Sequence, residues 1–156
     1  MTDTLPISKT GGSRRRGPVA AELFVDNSAW YPIAVPSPPD HKILANALAG
    51  AVRDGQRIVT TNLVVAETYA LLLSRTRRQA ALGFLHAVRQ SPNEVVTTTR
   101  DLESRAITHW LERYEDQDFS LADAVSFEVM TAREIREVLT LDQHFAVAGF
   151  VMVPAL

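Results

Sequence analysis

Five short apolar runs, separated by longer stretches with helical spacing, leave this chain few ways to fold. The runs are Leu23-Phe24-Val25, Arg57-Ile58-Val59-Thr60-Thr61, Val95-Val96-Thr97-Thr98, Val138-Leu139-Thr140-Leu141 and Phe150-Val151-Met152-Val153. They are short and mostly β-branched, which predicts strands. The first is continuously apolar, as a strand covered on both faces is. Between them, His41 to Arg53 carries Ile43, Leu44, Ala47, Leu48 and Val52 at helical spacing, with Asp40 expected as its cap and Asp54-Gly55 as its end. Asn62 is expected to cap a second helix reaching about Arg75; Thr76 to Gln90 and Asp101 to Asp116 read as two more. Short strands alternating with helices predict an α/β domain with a mainly parallel sheet.

A helix is also expected after Ser120, whose hydroxyl suits an N-cap. Leu121 to Met130 is mostly apolar, so this helix is expected to be largely buried. Asp123, three residues past the cap, has two readings. It closes a capping box, or it faces a cation shared with other carboxylates.

Residues 1–20 are polar, with Arg14-Arg15-Arg16, and read as a flexible basic N-terminal tail; residues 21–156 read as one domain. Pro32, Pro36, Pro38 and Pro39 predict a loop after Trp30-Tyr31. Trp30 itself either packs in the core or offers aromatic surface to a partner.

Several kinds of site are excluded. The chain has no cysteine, so it has no thiolate zinc site and no cysteine nucleophile. Gly11-Gly12 sits in the tail and no glycine-rich phosphate loop occurs. His41, His86, His109 and His144 lack zinc-protease spacing, and no G-x-S-x-G elbow surrounds Ser28 or Ser126. No apolar run is long enough to cross a membrane. With a formal net charge of -2, any nucleic-acid binding must come from a local basic patch.

In open α/β sheets, ligands sit outside the carboxyl ends of the strands. Asp26 and Asp142 fall at two predicted strand ends, Asp123 near a helix start, and Glu67 in a helix just after another strand. Each has an ordinary explanation: a strand end, a turn, a cap, an exposed helix position. Together they would repel one another, and a hard divalent cation, Mg²⁺ or Mn²⁺, would compensate. Such a centre suits metal-assisted hydrolysis of a phosphodiester.

Four pieces appear in order: Val25-Asp26-Asn27-Ser28-Ala29-Trp30-Tyr31, Asn62-Leu63-Val64-Val65-Ala66-Glu67-Thr68, Asp118-Phe119-Ser120-Leu121-Ala122-Asp123-Ala124 and Leu139-Thr140-Leu141-Asp142-Gln143-His144-Phe145. In this the chain resembles the PIN-domain family, more narrowly its VapC-like toxin ribonucleases, over about Ala21 to Pro154. The resemblance implies a PIN-like sheet of about five strands with helices on both sides. It implies a cytoplasmic, Mg²⁺- or Mn²⁺-dependent endoribonuclease of a type II toxin–antitoxin system, with a cognate antitoxin and a homodimer. Asp26 and Asp123 look like the principal metal ligands, with Glu67 and Asp142 completing the catalytic carboxylates. Asn27 stands where the family often has Thr, and still suits a contact to phosphate. Asp118 stays open, since leading a helix explains it equally well. Arg75, Arg77 and Arg78 are the candidate basic patch for RNA, with Arg53 and Arg57 as candidate neighbours. The alternative is a PIN-like scaffold that binds RNA or protein without cutting.

Overall fold

The computed structural model describes residues 21–36 and 39–154; the expected tail lies outside the described residues, as does Pro38. Five strands form one sheet: β1 (Glu22–Val25), β2 (Arg57–Thr61), β3 (Asn93–Val96), β4 (Glu137–Leu139) and β5 (Val151–Val153). Their order is β3-β2-β1-β4-β5 and every pairing is parallel. The chain winds outward from β1 through β2 to β3, then starts again on the other side with β4 and β5. The winding reverses between β1 and β4, so the carboxyl ends of these two strands flank the crevice where such sheets bind ligands.

Around the sheet lie α1 (Asn27–Ala34), α2 (Pro39–Arg53), α3 (Asn62–Arg75), α4 (Arg78–Val88), α5 (Arg100–Ala106), α6 (Leu121–Ala132) and α7 (His144–Val147). Helix α1 corrects an expectation, because the segment around Pro32 is helical and not a loop. Asp26 starts it as N-cap, its side chain accepting from the Ser28 N–H, and Pro32 lies buried inside it. Pro32 forgoes one backbone bond, to the carbonyl four residues back. Helix α2 begins at Pro39, whose fixed φ suits a first helical position, so Asp40 sits in the first turn instead of capping. Helix α3 is capped by Thr61, which accepts from the Val64 N–H at 3.2 Å. The expected cap, Asn62, turns outward and accepts from Thr98 N and Oγ1 at 2.9 and 2.7 Å. The stretch after Asp101 is also not one regular helix. Past Ala106 it widens into a π-helical turn, Ile107–Leu111. The turn carries His109 and Trp110, both of which hydrogen-bond the buried Glu128 of α6.

Helix α6 is buried along most of its length, as its composition predicts. Its centre is Phe127, fully buried, with ring centroids 5.1 Å from Trp110, 5.0 Å from Phe119 and 4.9 Å from Phe145. Trp30 takes the core alternative. It is 5% exposed, edge-on to Phe84, and its Nε1 donates to Thr60 Oγ1 at 3.3 Å. It leaves little aromatic surface for a partner.

Because Phe127 joins α6 to the π turn and to α7, Phe127→Ala is expected to cost about 3–5 kcal/mol. The shift of the urea midpoint measures this; a loss below about 1 kcal/mol would contradict the placement.

Candidate metal centre

Asp26 ends the central strand and is 2% exposed. A buried carboxylate needs hydrogen bonds, and all of its side-chain bonds converge on Oδ2. Ser28 Oγ donates at 2.9 Å, Ser28 N at 3.3 Å and Thr140 Oγ1 at 3.2 Å. Ser28 Oγ in turn accepts from the Leu141 N–H, and Thr140 Oγ1 from the Asp142 N–H, each at 2.9 Å. These two hydroxyls strap the end of β1 to the end of β4. The fourth strand ends at Leu139, short of the expected Leu141; the Thr140 N–H still reaches Val153 O of β5 at 3.4 Å while its hydroxyl donates to Asp26.

The other carboxylates come from three different elements. Glu67, in the second turn of α3, accepts from Asn27 Nδ2 through Oε2 at 3.1 Å. Asp123, in the first turn of α6, does close a capping box: Ser120 N donates to its Oδ2 at 3.2 Å, and its own N donates to Ser120 Oγ at 3.0 Å. The same Oδ2 lies 3.3 Å from His144 Nδ1. Asp142, after β4, accepts the His144 N–H through Oδ1 at 2.9 Å, and that oxygen is 3.6 Å from His144 Nδ1.

The electrostatics show that these groups share a field. Burial pushes the Asp26 carboxyl up to about 6; the Ser28 hydrogen bond opposes this, and the charge of Asp123 adds to it. The Glu67 carboxyl is also raised, by burial first and then by the charges of Asp123 and Asp26. Among the described residues, no lysine or arginine pairs with Asp26, Glu67, Asp123 or Asp142. One group of potential metal-binding atoms within 4.8 Å of one another comprises Asp123, Asp142 and His144. Carboxylate oxygens with a single imidazole, and no compensating side-chain charge beyond that ring, fit a hard divalent ion such as Mg²⁺ or Mn²⁺.

The remaining sequence candidates lie away from this centre. Asp118 is exposed in the segment before Ser120 and holds none of the site residues. Arg75 closes α3, about 12 Å along the helix axis from Glu67. Its guanidinium lies over Tyr31, 5.6 Å from the ring centroid. Arg77 and Arg78 are exposed at the start of α4. Arg57 starts β2, at the opposite edge of the sheet from the crevice, and pairs with Glu94 there. It is therefore not a neighbour of the acidic rim.

Three site residues escape a search for acidic groups: Ser28, Thr140 and His144. Ser28 and His144 each stand two residues after a candidate aspartate, the spacing at which an aspartate accepts from the backbone two positions on. That spacing was the one available signal.

The raised Asp26 carboxyl has a sign that can be measured without metal. The unfolded chain loses this proton near the usual 3.8, whereas the folded chain keeps it to about 6. Between these values the unfolded state binds fewer protons, so stability falls as pH rises and levels off above about 6. The full difference corresponds to roughly 3 kcal/mol at about 1.4 kcal/mol per unit of pKa. Asp26→Asn should flatten most of this slope and make the metal-free protein more stable near pH 7; Glu67 leaves a smaller remainder of the same sign. Urea midpoints across this pH range test it. An unchanged slope in the variant would show that Asp26 is not the group under strain.

The PIN domain family model matches residues 23–151. The chain is 31% identical over 131 residues to the 23S rRNA-specific endonuclease VapC20 of Mycobacterium tuberculosis, spanning 84% of this chain and 97% of that protein. The crystal structure of Mycobacterium tuberculosis VapC20, described as a sarcin-ricin loop cleaving toxin, matches with a TM-score of 0.76 and 30% identity over 83% of this chain and 97% of that one. VapBC2 from Rickettsia felis, solved bound to a DNA fragment from their promoter, matches at a TM-score of 0.65 over 83% of this chain and 96% of that one; at 11% identity this is a likeness of fold alone. The sheet order, the acidic crevice and these matches agree: the chain belongs to the PIN-domain family, in its VapC-like branch of toxin ribonucleases.

Proposed function

We propose that this chain is a divalent-cation-dependent endoribonuclease, the toxin of a toxin–antitoxin pair, and that it cuts a phosphodiester bond in structured ribosomal RNA. The observation that carries this is that the charge of Asp123 bears on both the buried Asp26 and Glu67 beside the reversal point of the sheet, with no lysine or arginine among the described residues paired to any of them. Ribosomal RNA is favoured because the VapC20 relative, matched over nearly its whole length, is named for that substrate.

In this reading Asp26 and Asp123 hold Mg²⁺ or Mn²⁺, and Glu67 and Asp142 complete the catalytic carboxylates. A bound ion of this kind makes water a better nucleophile and offsets charge developing on the phosphate. The protein's own part is orientation and proton handling. Ser28 and Thr140 fix Asp26 through Oδ2, so Oδ1 keeps one direction. Asn27 fixes Glu67 through Oε2, leaving Oε1 to accept the proton of the attacking water. Asn27, beside Glu67, is also a candidate contact to the substrate phosphate. Arg75, Arg77 and Arg78 supply positive charge outside the acidic rim. A cognate antitoxin, pairing into a homodimer and action in the cytoplasm follow the same family reading. No helix among the described residues is long and apolar enough to cross a membrane.

Two measurements test this. The first is cleavage of an RNA fragment containing the sarcin–ricin loop, with Mg²⁺, with Mn²⁺ and with EDTA. Cleavage should require the ion, and Asp26→Asn or Asp123→Asn should each reduce it at least ~100-fold while the fold survives. Ion-independent cleavage, or full activity in either variant, would refute the assignment; a folded protein that binds RNA and never cuts would favour the scaffold.

The second concerns the arginines. In the Asp26→Asn background, Arg77→Ala with Arg78→Ala should weaken RNA binding across sequences. The salt slope of log affinity should drop by about 1 to 2, since each phosphate contact contributes roughly 0.7 to 0.9. An unchanged slope would mark the cluster as a solvated turn.

A further inference from the structure

We propose that His144 is a ligand of the bound cation, and that its imidazole makes the site prefer Mn²⁺ to Mg²⁺. This rests on the reading of the acidic crevice as a cation site and says which ion that site selects.

His144 Nδ1 stands between two carboxylates from different elements, 3.3 Å from Asp123 Oδ2 and 3.6 Å from Asp142 Oδ1. Adjacent ligands on an octahedral ion, each about 2.0–2.2 Å from it, are separated by about 3 Å; the two separations at His144 are close to that, and the three ligand atoms all lie within 4.8 Å of one another. Each corner is held in place. Asp123 Oδ2 is fixed by the Ser120 N–H, and Asp142 Oδ1 by the His144 N–H. The imidazole lies edge-on to Phe119, with ring centroids 5.2 Å apart.

An ordinary ion pair between His144 and Asp123 would explain one contact; Asp142 Oδ1, which already accepts the His144 N–H, brings a second carboxylate oxygen to the same ring nitrogen at 3.6 Å. The three hydrogen bonds that Ser28 and Thr140 donate to the buried Asp26 side chain all reach Oδ2. The donor set that results is oxygen-rich with one nitrogen. Mg²⁺ favours oxygen ligands and keeps its waters, whereas a nitrogen ligand is better accepted by a transition metal such as Mn²⁺.

The test is pulsed electron paramagnetic resonance of Mn²⁺ added to the purified full chain, with competition by Mg²⁺. Bound Mn²⁺ should show ¹⁴N modulation from a coordinated imidazole, replaced by the ¹⁵N pattern when the protein is made with ¹⁵N-histidine. This reading needs no variant. The signal should be lost in His144→Ala and kept in His109→Ala, and His144→Ala should lose Mn²⁺ affinity by a larger factor than Mg²⁺ affinity. Bound Mn²⁺ without histidine modulation, or modulation that survives His144→Ala, would overturn the role of His144 and leave the acidic site standing. No bound Mn²⁺ at all, or binding indifferent to Asp123→Asn, would overturn the cation site and this proposal with it.

Discussion

Asp26 is a carboxylate at the end of the innermost strand, 2% exposed, and the crevice is built around keeping it there. An unpaired charge at such depth is costly. Ser28 and Thr140 lower that cost with hydroxyls from the two sides of the sheet's reversal point. The same carboxylate caps α1, so one residue ends the strand, starts the helix and sets the direction of the crevice. The hydrogen bonds do not remove the strain: burial still pushes the carboxyl up to about 6, and the charge of Asp123 adds to it. In the proposed reading, a bound cation would turn this cost into a gain in stability.

Asp123 shows that structural and functional explanations need not compete. It is the third residue of a capping box, and its side chain is mostly buried beside His144. A helix N-terminus tolerates negative charge because its free N–H groups point at it. The cap holds the carboxylate still, and a carboxylate held still is a better ligand. Phe119, one residue before the cap, packs against Phe127 and against the His144 ring. The aromatic core thereby sets both the start of α6 and the place of the imidazole.

Much of this is legible in the sequence where the signal is local and repeated. The strands announce themselves by β-branched runs, and Ser120 by its place before an apolar stretch. What is not legible depends on contacts distant in the chain. Nothing local says that Thr61, and not Asn62, caps α3; Asn62 is drawn away by Thr98. Pro32 reads as a helix breaker, yet the cap at Asp26 and burial against the core outweigh one missing bond. The π turn at Ile107–Leu111 exists where two side chains reach Glu128, nineteen and eighteen positions later for His109 and Trp110. The spacing of His144 two residues after Asp142 marks a turn and not a ligand; the ring becomes a candidate ligand only where the segments after β4 and at the start of α6 bring Asp142 and Asp123 to it.

The central claim is that charge repulsion in the crevice is relieved by a divalent ion. The thermal midpoint near pH 7, read across a Mn²⁺ titration in wild type and in Asp123→Asn, tests it most directly. The account predicts a midpoint that climbs with Mn²⁺ in wild type, as binding to the folded state alone requires, and stays flat in the variant. A wild-type midpoint indifferent to Mn²⁺, or a variant that climbs equally, would contradict it.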